Sequence, residues 1–166
     1  MGHEPTAIDW ESWTPEDIAT LCFIRQAGQL LLIHKKRGLG AGKINGPGGR
    51  LDPGESPRQC AVRECQEELA ITPLEPVERG LLEFQFADGY RLRCHVFEAA
   101  GFSGTPVESE EAVPLWVPET EVPYDRMWAD DQHWLPILLT SRDSFLGRFV
   151  FDEDRMMSGE VHRTGS

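Results

Sequence analysis

Gly49-Arg50-Leu51-Asp52-Pro53-Gly54-Glu55-Ser56-Pro57-Arg58-Gln59-Cys60-Ala61-Val62-Arg63-Glu64-Cys65-Gln66-Glu67-Glu68-Leu69-Ala70-Ile71 passes from a loop into a helix. Ser56 is placed to cap the helix, Pro57 suits its first position, and Gln59 completes a capping box. Nothing breaks the helix between Pro57 and Leu69. Ala61, Cys65 and Leu69 recur at four-residue spacing as a buried stripe. Glu64, Glu67 and Glu68 stand at i, i+3 and i+4, so the three carboxylates share another face. Two carboxylates about 5 Å apart repel by about 3 kcal/mol at an effective dielectric of about 20. No lysine or arginine follows at i+4, and Arg63 is expected to reach back to Glu55 or sideways to one partner. A divalent cation would turn the repulsion into binding, and an all-oxygen ligand set favours Mg²⁺, Mn²⁺ or Ca²⁺. The plainer alternative is a solvated acidic helix face.

Composition narrows the partners. The chain has 166 residues, enough for one domain, and 40% of them are hydrophobic. Sixteen basic against twenty-eight acidic residues leave a net charge of −12. Such a surface does not dock on nucleic acid or an anionic membrane by charge, so neither is expected as a partner. Cys22, Cys60, Cys65 and Cys94 show no C-x-x-C spacing. They are expected to be reduced thiols in a cytoplasmic protein. The first residues carry no apolar signal region, and no stretch approaches membrane-span length.

Along the chain, residues 1–16 read as an N-terminal extension, with Trp10 and Trp13 able to fold back on the body. Ile18 to Arg25 and Gln29 to Lys35 read as paired strands around Ala27-Gly28. Lys35 to Lys43 is a basic, glycine-rich loop, either a solvated turn or the rim of a phosphate site. The glycines of Asn45 to Gly49 bring backbone close to whatever the helix binds. Val77 to Phe86 and Arg91 to Glu98 form a second strand pair, with Leu92, Cys94 and Val96 on one face. Gly101 to Val113 reads as loop and Pro114 to Val117 as a short strand. Trp128 to Leu139 opens a second helix that Pro136 should kink or confine. Two closing strands are expected near Phe145 to Phe151 and Gly159 to His162. Mixed strands with two principal helices predict an α/β/α sandwich around a mixed sheet.

Gly49, Glu55, Arg63-Glu64 and Glu67-Glu68 at these spacings resemble the Nudix box of the Nudix hydrolases. Cys65 stands in the box's apolar slot and Ala70 where the family has glycine. Ala70 lacks glycine's ease at positive φ, so an altered helix exit is expected. Lys35 to Gly46, Gly104 to Glu111 and Met127 to Asp131 narrow the resemblance to the MutT-class diphosphatases of oxidised purine nucleotides, over residues 18–155. The resemblance makes 17–166 the Nudix domain and implies a monomeric hydrolase using Mg²⁺, with Mn²⁺ as a substitute. Glu64, Glu67, Glu68, Glu111 and the Gly48 carbonyl would hold metal. Arg63 would orient the glutamates, and Glu67 or Glu111 would take the proton of the attacking water. Asn45, Asp130 and Asp131 would bond the base, Trp128 stack on it and Phe84 line the opposite side. Thr20 and Lys35 would border sugar and phosphates. Leu39, Ile44 and Pro47 replace aromatic residues of close relatives, which leaves base preference open. The implied reaction is 8-oxo-dGTP, or 2-hydroxy-dATP, to monophosphate and pyrophosphate, in sanitation of the nucleotide pool against DNA damage. Alternatives are another nucleoside triphosphate, a dinucleoside polyphosphate, capped RNA, or a non-catalytic nucleotide sensor.

Overall fold

A computed structural model describes residues 8–165. In chain order the elements are β1 (Asp17–Gln26), β2 (Gln29–Lys35), β3 (Ile44–Asn45), β4 (Gly48–Arg50), α1 (Pro57–Leu69) and β5 (Ile71–Pro73). There follow β6 (Val77–Phe86), β7 (Arg91–Ala99), β8 (Phe102–Gly104), β9 (Ala112–Pro118), α2 (Asp131–Thr140), β10 (Ser144–Asp152) and β11 (Arg155–Thr164). Nine strands form one sheet in the order β11-β10-β6-β7-β1-β2-β3, with β4 on β1 and β9 on β2. β1 runs parallel to β7, and β10 parallel to β6; the other pairs are antiparallel.

Strand alternation sorts the core into two layers. Cys22, Ile24, Leu31 and Ile33 point to one face and pack with Ala61, Cys65 and Leu69 of α1. Phe23, Leu30, Leu32 and Leu82 point to the other and pack with Trp134, Leu135 and Leu138 of α2. The two helices therefore cover opposite faces, as an α/β/α sandwich requires. The four cysteines are buried free thiols.

Where α1 does not reach, part of the N-terminal extension covers the sheet. Trp13 is buried and donates its indole N–H to Gln85 Oε1 at 3.0 Å. The Arg93 guanidinium lies 5.9 Å from the Trp13 ring and that of Arg148 5.7 Å from the Trp10 ring. Beneath them both arginines bond the buried Glu83. Residues 1–7 of the extension lie outside the described residues.

Two expectations are corrected, and one segment to which no element was assigned is filled in. Gly101 to Val113 is not all loop: β8 pairs with β5, and β9 already begins at Ala112. Asn45 to Gly49 contributes to two strands, because Gly48 and Gly49 sit in register against Leu21 and Thr20. Pro136 does not confine α2 to its first turns: it lies inside the helix, which continues to Thr140. The ring costs the bond to the carbonyl four residues back, but that residue, Gln132, is exposed and water can serve it.

Candidate active site

The box helix begins as its sequence dictates. Gln59 N–H donates to Ser56 Oγ at 3.1 Å, and Ser56 N–H donates to Gln59 Oε1 at 2.9 Å. Its exit corrects the expectation for Ala70, which adopts the left-handed conformation (φ 59°, ψ 32°) despite its Cβ. Its N–H then closes on the Cys65 and Gln66 carbonyls, so the glycine-type exit is kept.

Arg63 does more than expected. It donates to both oxygens of Glu55 at 2.7 and 2.9 Å, to Glu64 at 2.9 Å, to Glu67 at 3.0 Å and to the Arg50 carbonyl at 3.0 Å. These bonds hold the Glu55 carboxyl down at about 2, and the guanidinium's pKa is raised in return. One side chain thus ties the loop before the helix to two of its carboxylates.

The three helix carboxylates do not stay equivalent. Oxygens of Glu64, Glu68 and Glu111 lie within 4.8 Å of one another, while Glu67 is half exposed and turned to Arg63. Glu68 accepts the Gly48 N–H at 2.8 Å and is buried. Burial pushes it up to about 8, helped by its like-charged neighbours, and burial also raises Glu64. A Cβ on Gly49 would meet the Glu64 carboxyl carbon at 2.5 Å, so only glycine lets that carboxylate lie against the backbone. Lys35 is half-buried, its pKa lowered by burial against the attraction of Glu68 and Glu64. An all-oxygen cluster of two buried carboxylates and a third that is partly exposed suits a hard divalent cation.

Beside this cluster opens a cavity of ≈ 140 Å³. Thr20, Lys35, Asn45, Gly48, Phe84, Trp128, Asp130 and Asp131 all line it, so the structure gathers these sequence-predicted residues around one space. Trp128 is held by edge contacts with Phe151 (5.3 Å) and Phe86 (6.3 Å), and Phe84 stacks on Phe149 at 5.8 Å. Asn45 Nδ2 is buried without a hydrogen-bond partner, a donor left available for a ligand. Thr20 sits differently from a simple rim residue: its hydroxyl bonds Cys60 Sγ of α1 at 3.3 Å.

Asp130 occupies the cap position of α2 but makes no side-chain cap bond. It accepts the Trp134 indole N–H at 2.8 Å instead. Burial pushes Asp130 up to about 6, and burial with its neighbour's charge raises Asp131 well above the carboxylate range. Leu39, singled out in the sequence for base preference, does line the cavity, whereas sequence reading missed other wall residues, among them Arg50, Leu82 and Phe86. It also missed Lys43, whose Nζ lies 5.4 Å from the Trp128 ring and 3.3 Å from Asp154. Its place in a basic loop of an acidic chain was the available signal.

The NUDIX domain profile matches residues 15–138. The chain belongs to the Nudix family. It is 41% identical to the oxidized purine nucleoside triphosphate hydrolase of Danio rerio over 81% of this chain and 86% of the relative. Against the enzyme of that name from Mus musculus it is 38% identical over 89% and 95%. Among solved structures, a MutT protein from Bacillus halodurans matches with a TM-score of 0.79 and 27% identity, covering 87% of this chain and 97% of that one. Nudix hydrolases act on small-molecule nucleotides and generally with divalent metal ions. This Nudix chain carries both an acidic cluster and a cavity beside it.

Proposed function

We propose that this Nudix hydrolase cleaves oxidised purine nucleoside triphosphates, such as 8-oxo-dGTP and 2-hydroxy-dATP, to the monophosphate and pyrophosphate. The observation that carries the reading is the buried Asp130–Asp131 pair on the wall of a cavity adjoining the Glu64–Glu68–Glu111 cluster. An 8-oxoguanine edge presents N–H donors at N1 and N2 beside the acceptor O6. Two ionised aspartates would repel O6, since a carboxylate only accepts. With Asp131 protonated and Asp130 ionised, the pair offers one acceptor and one donor, and Asn45 adds a further donor. Moving the proton from one aspartate to the other would suit the edge of 2-hydroxyadenine. Trp128 and Phe84 supply the aromatic surfaces for the ring.

Glu64, Glu68 and Glu111, with the Gly48 carbonyl, would hold Mg²⁺, for which Mn²⁺ substitutes. Bound there, the ion shields the phosphates and acidifies water. Glu67 lies outside the three-carboxylate cluster and reaches solvent, which suits it to take the proton from the attacking water. Arg63 fixes Glu64 and Glu67 in place, and Lys35 faces the phosphates. The proposal includes a monomer in the cytoplasm that sanitises the nucleotide pool, without nucleic-acid or membrane partners. No described helix is long and apolar enough to cross a membrane.

The test is pyrophosphate release with Mg²⁺ across a panel of normal and oxidised purine triphosphates, dinucleoside polyphosphates and capped RNA. Preference for the oxidised purines is the expected result. Preference for a dinucleotide or a cap, or nucleotide binding without turnover, would overturn it.

A further inference from the structure

The acidic cluster has a cation at its edge that the reading above does not use. Glu111 reaches the cluster from the segment before β9, and Arg37 of the loop after β2 sits against it. Arg37 Nη2 lies 3.6 Å from Glu111 Oε1 and 3.6 Å from Glu110 Oε2. That separation is beyond hydrogen-bond reach, and among the described residues the guanidinium makes no hydrogen bond, so charge alone holds it. Neighbouring Lys36 is committed elsewhere. Its ammonium is paired with Glu108 and bonds the Ser109 carbonyl at 2.8 Å, while its backbone N–H bonds the Glu111 carbonyl at 2.9 Å. The loop is thereby pinned beside Glu111, with Arg37 the solvent-facing charge on it; the side chain is 60% exposed.

A cation drawn into the carboxylate cluster would compete with Arg37 for Glu111. The released guanidinium would then need another anion, and its planar fork matches phosphate oxygens. We propose that Arg37 exchanges Glu111 for the terminal phosphate of the substrate and so reads the length of the phosphate chain. Arg37 is a specificity residue for triphosphate over diphosphate, and it also restrains Glu111 until metal and nucleotide arrive together. The inference rests on the nucleotide-hydrolase reading but not on the identity of the base.

The test compares wild type with Arg37→Ala and Arg37→Lys by calorimetry, using Mn²⁺ alone and then the α,β-imido analogues of 8-oxo-dGTP and 8-oxo-dGDP with Mn²⁺. Arg37→Ala is expected to bind the triphosphate about ten-fold more weakly while the diphosphate is little changed, the size of one charge-assisted contact. Mn²⁺ alone should bind about two-fold more tightly once a competing surface ion pair is gone. Arg37→Lys should fall between, keeping charge without the fork. Equal losses for both nucleotides, no loss for the triphosphate, or weaker Mn²⁺ binding would each overturn the assignment. Because both analogues carry one base, base preference cancels. Should the wild type prefer another base, the same comparison runs with that nucleoside, so the two failures are told apart.

Discussion

The Trp134 indole N–H donates to Asp130 Oδ2 at 2.8 Å, and Asp131 has no comparable donor from the helix core. The bond favours the ionised form of Asp130 and leaves the shared proton with Asp131. The two aspartates are therefore not interchangeable. Asp131→Asn keeps a fixed donor at the protonated position, whereas in Asp130→Asn the one amide oxygen is taken by the Trp134 N–H and a donor NH2 stands where the base needs an acceptor. Asp131→Asn is expected to keep 8-oxo-dGTP turnover within about ten-fold and to narrow selectivity; Asp130→Asn should lose more and shift it the other way. Ratios of kcat/KM for 8-oxo-dGTP and 2-hydroxy-dATP measure this, and unchanged ratios in both variants would leave the pair as a mere helix start.

The same burial sets a pH dependence of stability. Asp130 rises from 3.8 to about 6 on folding, and Asp131 rises further. A carboxyl raised by folding contributes stability that is complete below its unfolded pKa and is lost as pH climbs through the folded one. For Asp130 the difference is roughly 3 kcal/mol. Ligand-free protein should lose melting temperature from about pH 4 to pH 6 through Asp130 and on to higher pH through Asp131, at about 2–4 °C per kcal/mol for a chain this long. Asp131→Asn should flatten the decline. A melting temperature that rises across this window in the wild type would contradict the buried-pair geometry.

Glu68→Gln separates metal binding from folding. The amide oxygen can still accept the Gly48 N–H, now without a charge buried beside Glu64 and Glu111. Metal-free protein should melt higher, and Mn²⁺ affinity by calorimetry should fall about ten-fold or more, since a charged oxygen ligand is lost. Unaltered Mn²⁺ affinity would place the metal elsewhere.

Ala70→Gly should stabilise. A left-handed alanine costs about 1–2 kcal/mol, and glycine gives back about 0.4–1 kcal/mol through the unfolded chain. Ala70 is exposed, so the lost methyl packs on little. The expected gain is a rise in melting temperature of a few degrees with kcat/KM unchanged; a fall would mean the methyl is holding the helix exit.

The helix was legible to the residue, because Ser56, Pro57 and Gln59 carry their signal locally and α1 spans Pro57–Leu69 as read. The shared face of Glu64, Glu67 and Glu68 was legible as well. Their division was not, since it depends on Arg63 drawing Glu67 outward and on Glu111 arriving from the segment before β9. β3, β4, β5 and β8 have only two or three residues each, too few to show a period. Glu111, the cavity aspartates and Trp128 were found through family resemblance; spacing alone would have left Asp130 and Asp131 as a helix cap. The Asp130–Trp134 bond hid in an ordinary i, i+4 spacing on α2.

The alternation of β6 has a consequence for assembly. Leu82, Phe84 and Phe86 face the cavity, while between them Glu83 is gripped by Arg93 and Arg148, and Gln85 by Trp13. Shifting β6 by one residue would drive a carboxylate into the cavity and press a phenylalanine against two guanidinium groups. Misregistered chains are thus penalised on both sides of the sheet at once. The tryptophan segment, remote from the cavity, adds contacts that only the register with Phe84 facing the cavity can make.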